Sequence, residues 1–177
     1  MKGSIPSYFS LLGLGLFTVY FMASLLGWIA ITLQQSASMQ MAVNVPSVMI
    51  ILNSYILFMA AGQRAGVTRG RVTLGAVCLV ACLCVFFLPP QQMFVVQAAA
   101  ATLFFASTGL ICGWRGWRYR NIGDAIIAYA AVTMTVGMPL AIYYFSVAGE
   151  LARGEAIAFG VHSAAYALIA IGFLASV

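Results

Sequence analysis

Six apolar runs, each close to the length that crosses a bilayer, occupy most of this chain: residues 8–33, 45–62, 72–88, 93–113, 125–147 and 156–177. A hydrocarbon core about 30 Å thick takes roughly 20 apolar residues per helix, so a chain of 177 residues holds about six spans and short connections. Turn and polar residues fall between the runs, at 34–44, 63–71, 89–92, 114–124 and 148–155. Backbone inside lipid has to satisfy its own hydrogen bonds, and no run alternates with period two, so the runs are expected as helices and not as barrel strands. The fold class expected is an all-α integral membrane protein, a six-transmembrane-helix bundle, with residues 1–177 forming a single transmembrane domain. Composition excludes the alternative of a water-facing surface. The chain is 64% apolar and 6% charged, where a soluble domain is about half apolar and about a quarter charged. The first run follows Lys2 but exceeds the roughly 7–15-residue core of a secretory signal, so it is expected to remain as the first span.

The charges that do occur carry the topology. The net charge of +5 would point a soluble protein towards nucleic acid. Here the charges sit at the ends of runs, so no nucleic acid is expected, and the lipid bilayer is the first partner. Assigning connections alternately to the two sides places Lys2, Arg64, Arg69, Arg71, Arg115, Arg118 and Arg120 together, with only Arg153 opposite. By the positive-inside rule both termini are cytoplasmic, which suits the inner membrane of a prokaryote. Trp114, Trp117 and Tyr119 then belong to the inner aromatic belt, and Trp28, Tyr143 and Tyr144 to the outer one. The inner connection 114–121 mixes three arginines with three aromatics beside the basic connection 64–71. Arg64, Arg69, Arg71, Trp114, Arg115, Trp117, Arg118 and Arg120 are therefore the expected docking residues, for anionic head groups or for a cytosolic partner.

Small residues recur at four-residue spacing in three runs: Ala23 and Gly27 in the first, Gly109 and Gly113 in the fourth, and Ala156, Gly160 and Ala164 in the sixth. Such rows let helix backbones approach closely, within one chain or between copies. Pro139 removes a backbone hydrogen bond within the fifth run and is expected to bend it.

No Lys, Arg, Asp or Glu falls in the middle of a run, which disfavours proton or ion coupling. Asn121 reads as the cap of the fifth helix and Asp124 as its first-turn acid, paired with Arg120 four residues before for a few tenths of a kcal/mol. Glu155 is expected to open the sixth span, and Arg153 to offset Glu150. His162 is the single histidine, too few for a bis-histidine haem or a self-contained zinc site, and is expected to hydrogen-bond across helices. Cys78 and Cys82 share a helix face, and Met39 and Met41 form a thioether pair. These are soft ligands for copper(I), but the same residues are common core fillers, and no metal or cofactor is expected. Cys112 and His162 belong to opposite halves of the membrane, so they form no catalytic pair and no enzyme is expected.

Asn53, Ser54, Gln97, Thr133 and Thr135 are uncharged polar groups at membrane depth and need partners. Two functions fit. The first is a non-enzymatic multi-pass subunit acting as scaffold, sensor or anchor in a homo-oligomer or a hetero-complex, docking through its basic inner connections. The second is a channel or solute-binding transporter subunit for a neutral or weakly polar molecule, lined by Asn53, Gln97, Thr133, Thr135, Pro139 and His162.

Overall fold

The computed structural model describes residues 7–34 and 41–176. Six helices follow one another: α1 (Ser7–Gln34), α2 (Met41–Arg64), α3 (Arg71–Phe87), α4 (Pro90–Tyr119), α5 (Ile122–Ser146) and α6 (Leu151–Leu174). No strand occurs among the described residues. Four helices contain segments long and apolar enough to cross a membrane: Val45–Arg64, Gln92–Tyr119, Ile122–Tyr144 and Ala152–Leu174. The apolar segments Gly13–Ile29 of α1 and Arg71–Phe87 of α3 are shorter. Met39 and Gln40, and with them half of the expected thioether pair, lie outside the described residues.

The helix boundaries have local causes. Gly66 and Gly70, at φ 70° and 81°, turn the chain between α2 and α3, where a side chain would be strained. Leu88 leaves α3 in an extended conformation ahead of a proline pair, and Pro90 starts α4 at a position where a missing N–H costs nothing. The expected connection 114–124 is corrected, because α4 runs on through it to Tyr119. Polar and aromatic residues at an interface are compatible with helix when the backbone bonds continue within it. The helix stops at Arg120, which takes the left-handed conformation at φ 50°. Asn121 then caps α5, its Oδ1 accepting from the Asp124 N–H at 3.1 Å. Glu155 falls inside α6 rather than at its start, and Glu150 precedes the helix with Arg153 bonded to it at 3.1 Å.

Five helices form a ring in the order α1, α2, α4, α5, α6. Each neighbouring pair along that order packs backbone to backbone, and α3 lies outside against α2 and α4. The ring closes differently. Among the described residues, no Cα of α1 comes within 8 Å of one in α6, and aromatic side chains fill the interval. Phe17 meets Phe173 at 4.6 Å between centroids, Tyr20 meets Tyr166 at 5.6 Å, and Trp28 meets Phe159 at 5.1 Å. One core, including Phe17, Tyr20, Leu57, Phe105, Met134 and Ile169, draws on all five ring helices. A second, including Ile51, Phe58, Cys78, Val85 and Phe104, glues α3 to α2 and α4. Val72, Leu79, Val80, Leu83, Phe86 and Phe87 remain exposed on α3, an outer surface suited to lipid.

Candidate functional site

One end of the bundle collects the basic residues. Arg64 ends α2, Arg71 begins α3, Arg115 lies in the last turns of α4, and Asp124 lies in the first turn of α5. Asp124 is 1% exposed, with Arg115 Nε 2.9 Å from its Oδ2 and Arg64 Nη2 3.6 Å from its Oδ1. The expected pairing of Asp124 with Arg120 is therefore corrected. Arg120 terminates α4 in a left-handed turn and is exposed, whereas Asp124 faces inward to α2 and α4. Arg64 Nη2 also donates to the Ser176 carbonyl at 2.6 Å, its Nη1 donates to Ser176 Oγ, and Arg115 Nη1 donates to the Arg64 carbonyl. Gly13 of α1 faces Arg64 as well. The cluster thus ties together α2, α4, α5 and the end of α6. Its charges match the helix dipoles, with the acid at a helix N-terminus and the guanidiniums beside helix C-termini. Arg71 donates to Gln63 Oε1 at 2.5 Å and accepts from Tyr55 OH at its carbonyl, closing the α2–α3 turn.

The expected docking set divides accordingly. Arg64, Arg71 and Arg115 are engaged within the chain, whereas Arg69, Trp114, Trp117, Arg118 and Arg120 present themselves outward, Trp117 at 89% exposure. Arg153 occupies the opposite end, with its guanidinium 4.8 Å from the Tyr144 ring centre.

The three small-residue rows also divide. Gly27 packs on Met49 of α2, where an added methyl would stand 3.7 Å from the Met49 Cβ, and Ala23 on the same row is partly buried. Gly109 and Gly113 pack on Val132 and Ala128 of α5 at 3.3 and 3.7 Å by the same measure. Ala156, Gly160 and Ala164 instead face away from the bundle, and an added methyl at Gly160 meets nothing within 4 Å. Among the glycines of the described residues, the closest backbone approach is between two that the spacing rule does not select. Gly123 of α5 and Gly172 of α6 stand so close that a side chain on either would collide with the other's backbone. Farther along, Gly137 leaves room for Val161 in the same way.

Of the six expected lining residues, Asn53 and His162 come into one polar node. Asn53 Nδ2 donates to Ser24 Oγ at 2.6 Å and to Tyr166 OH at 3.1 Å, and the His162 ring lies 6.0 Å from that of Tyr166. Ser24 donates back to the Tyr20 carbonyl at 2.7 Å. His162 bonds the Ala158 carbonyl at 2.8 Å and its ring contact is with Tyr166, both on its own helix, in place of the cross-helix hydrogen bond expected of it. Thr133 and Thr135 donate to Tyr129 and Ala131 of their own helix at 2.9 and 2.8 Å, and Pro139 faces outward. Gln97 is buried on α4, and Ser54 bonds the Ile51 carbonyl one turn back. Tyr20, Ser24 and Tyr166 were not singled out by the sequence, because tyrosines and a serine inside an apolar run read as filler. Their only signal is that each needs a partner at depth. Cys112 is buried in α4 a turn before Arg115, at the ionic end, and His162 lies in the node. Comparison with protein-family models, with curated proteins and with solved structures returns no match to this chain.

Proposed function

We propose that this chain is a non-enzymatic, six-span membrane subunit, with both termini in the cytoplasm of a prokaryote, that serves as scaffold, sensor or anchor within a larger complex. The observation that carries the reading is the outward row Ala156, Gly160 and Ala164. Two small-residue rows are consumed by contacts within the chain, and this one is left for a second helix. Small residues are what a lipid-embedded interface requires, since close backbone approach replaces the hydrophobic drive that lipid cannot supply.

The basic end supports the second half of the reading. Three arginines hold the bundle together, and Arg69, Arg118 and Arg120 remain as an exposed cationic rim beside Trp117. That composition suits anionic head groups or an acidic cytosolic partner. Reversing the rim to R69E, R118E and R120E leaves the ionic cluster intact, so the folded yield in membranes is expected to hold. Retention of anionic lipid or of the co-purifying subunit is expected to fall at least about tenfold, the effect of roughly 1 kcal/mol per basic residue near an anionic surface. Unchanged lipid content and unchanged complex composition would remove the docking role. The second reading, a channel or solute-binding transporter subunit for a neutral or weakly polar molecule, is favoured by one feature, the polar node around Asn53.

A further inference from the structure

About halfway along the bundle, α1, α2 and α6 bring Tyr20, Ser24, Asn53 and Tyr166 together, with His162 one turn beyond. Tyr166 lies about 15 Å from Ser176 and the ionic end at 1.5 Å rise per residue, near the middle of a 30 Å hydrocarbon core. The hydrogen-bond inventory of this node does not close. Among the described residues, Asn53 Oδ1 is buried without a partner, and the buried Tyr20 hydroxyl has no well-aligned one, with Ser24 beside it. Rotating the Asn53 amide exchanges the two ends but leaves one of them unsatisfied, so the deficit does not depend on which atom is oxygen. Tyr166 accepts from Asn53, and Ser24, which already donates to the Tyr20 carbonyl and accepts from Asn53, has one lone pair left for the two phenols beside it. The node therefore leaves one phenolic donor and one amide group with no bond to make. At this depth a polar group left alone carries an uncompensated desolvation penalty.

Among the described residues, the node also lies on the ring interface that side chains close without backbone contact. The α5–α6 contact is set by Gly123 and Gly172, and α4–α5 by Gly109 and Gly113, so separating those pairs means moving backbones. Along the α1–α6 seam the helices meet through ring contacts, Phe17 with Phe173, Tyr20 with Tyr166 and Trp28 with Phe159.

We propose that the node binds the polar head of a small membrane-dissolved amphiphile, a planar hydroxylated ring of the phenol or quinol class, entering between α1 and α6. An oxygen of the head accepts from the Tyr20 and Tyr166 phenols, and its O–H donates to the Asn53 amide oxygen. The surrounding rings of Tyr20, Phe21, Tyr166 and His162 supply faces and edges for a flat guest. The inference does not rest on the oligomeric reading, since all of its residues belong to one chain.

The test uses the full chain in lipid nanodiscs, titrated with decylhydroquinone under reducing conditions by calorimetry. Saturable binding at one site per chain is expected. Y20F and Y166F keep the ring and remove only the hydroxyl, and each is expected to weaken binding at least about tenfold, as is N53L. Y129F, on the exposed face of α5, is expected to leave binding unchanged. Thermal unfolding of each variant separates lost binding from lost fold. Partitioning without saturation, or equal affinity in wild type, Y20F and Y166F, would overturn the proposal. So would a node occupied by water alone that the probe does not displace in NMR water-contact spectra.

Discussion

Asp124 owes its environment to three helices, and its partners lie sixty and nine residues away in sequence. The rule that neighbours on a helix pair at four-residue spacing points to Arg120, and Asn121 as the cap is legible for the same local reason. The rule fails for Arg120 because α4 ends there in a left-handed turn, which carries its side chain away from α5. A pairing made by α2 and α4 with α5 depends on helix arrangement, which no local spacing encodes. The consequence is measurable. Asp124→Ala leaves two guanidiniums facing one another at a site where the carboxylate is fully enclosed, and it is expected to cost about 3 kcal/mol. That is the low end for breaking a buried pair, since both arginines keep some contact with solvent. Arg120→Ala is expected to change stability by no more than about 0.5 kcal/mol, as an exposed position does. Thermal unfolding in one detergent, read for both variants, checks the pair. Equal losses would mean that Asp124 is not anchored as described.

At the scale of elements, the six helices were legible because each apolar run has to bury or lipidate its whole circumference, and their order around the ring was not. Run ends were less legible where helix continues through polar residues, as α4 does past Trp114. The small-residue rows were found by spacing, yet spacing does not say which face of a helix meets a neighbour. Gly123 and Gly172 are each a lone glycine that touches a different helix, and Tyr20 and Tyr166 are polar only at their tips. These positions therefore carry no periodic signal, although they set the α5–α6 and α1–α6 contacts. Gly123→Ala and Gly172→Ala are expected to force α5 and α6 apart at a cost of about 1–3 kcal/mol each, the range for overpacking a filled interior. Gly160→Ala meets open space, and the stability of the isolated chain is expected to stay within about 0.5 kcal/mol of wild type. Detergent melting of the three variants side by side is the check, and a destabilised Gly160→Ala in the monomer would place that glycine inside the bundle after all.

For the molecule as a whole, the arrangement separates what holds the chain together from what it offers outward. The ionic cluster, the glycine contacts and the two apolar cores are internal, and they use most of the polar and small residues that the sequence makes conspicuous. Three features are left over: the cationic rim at one end, the polar node behind the α1–α6 seam, and the small-residue face of α6. The last carries the proposed oligomeric role, because close backbone approach between small residues is how helices associate in lipid. Native mass spectrometry of the chain, extracted with its surrounding lipid and compared with Gly160→Leu, tests it. A defined oligomer is expected for the wild type and a shift to monomer for the variant, with the fold retained. A wild-type chain that is monomeric in its own lipid, or an oligomer that Gly160→Leu leaves unchanged, would contradict it.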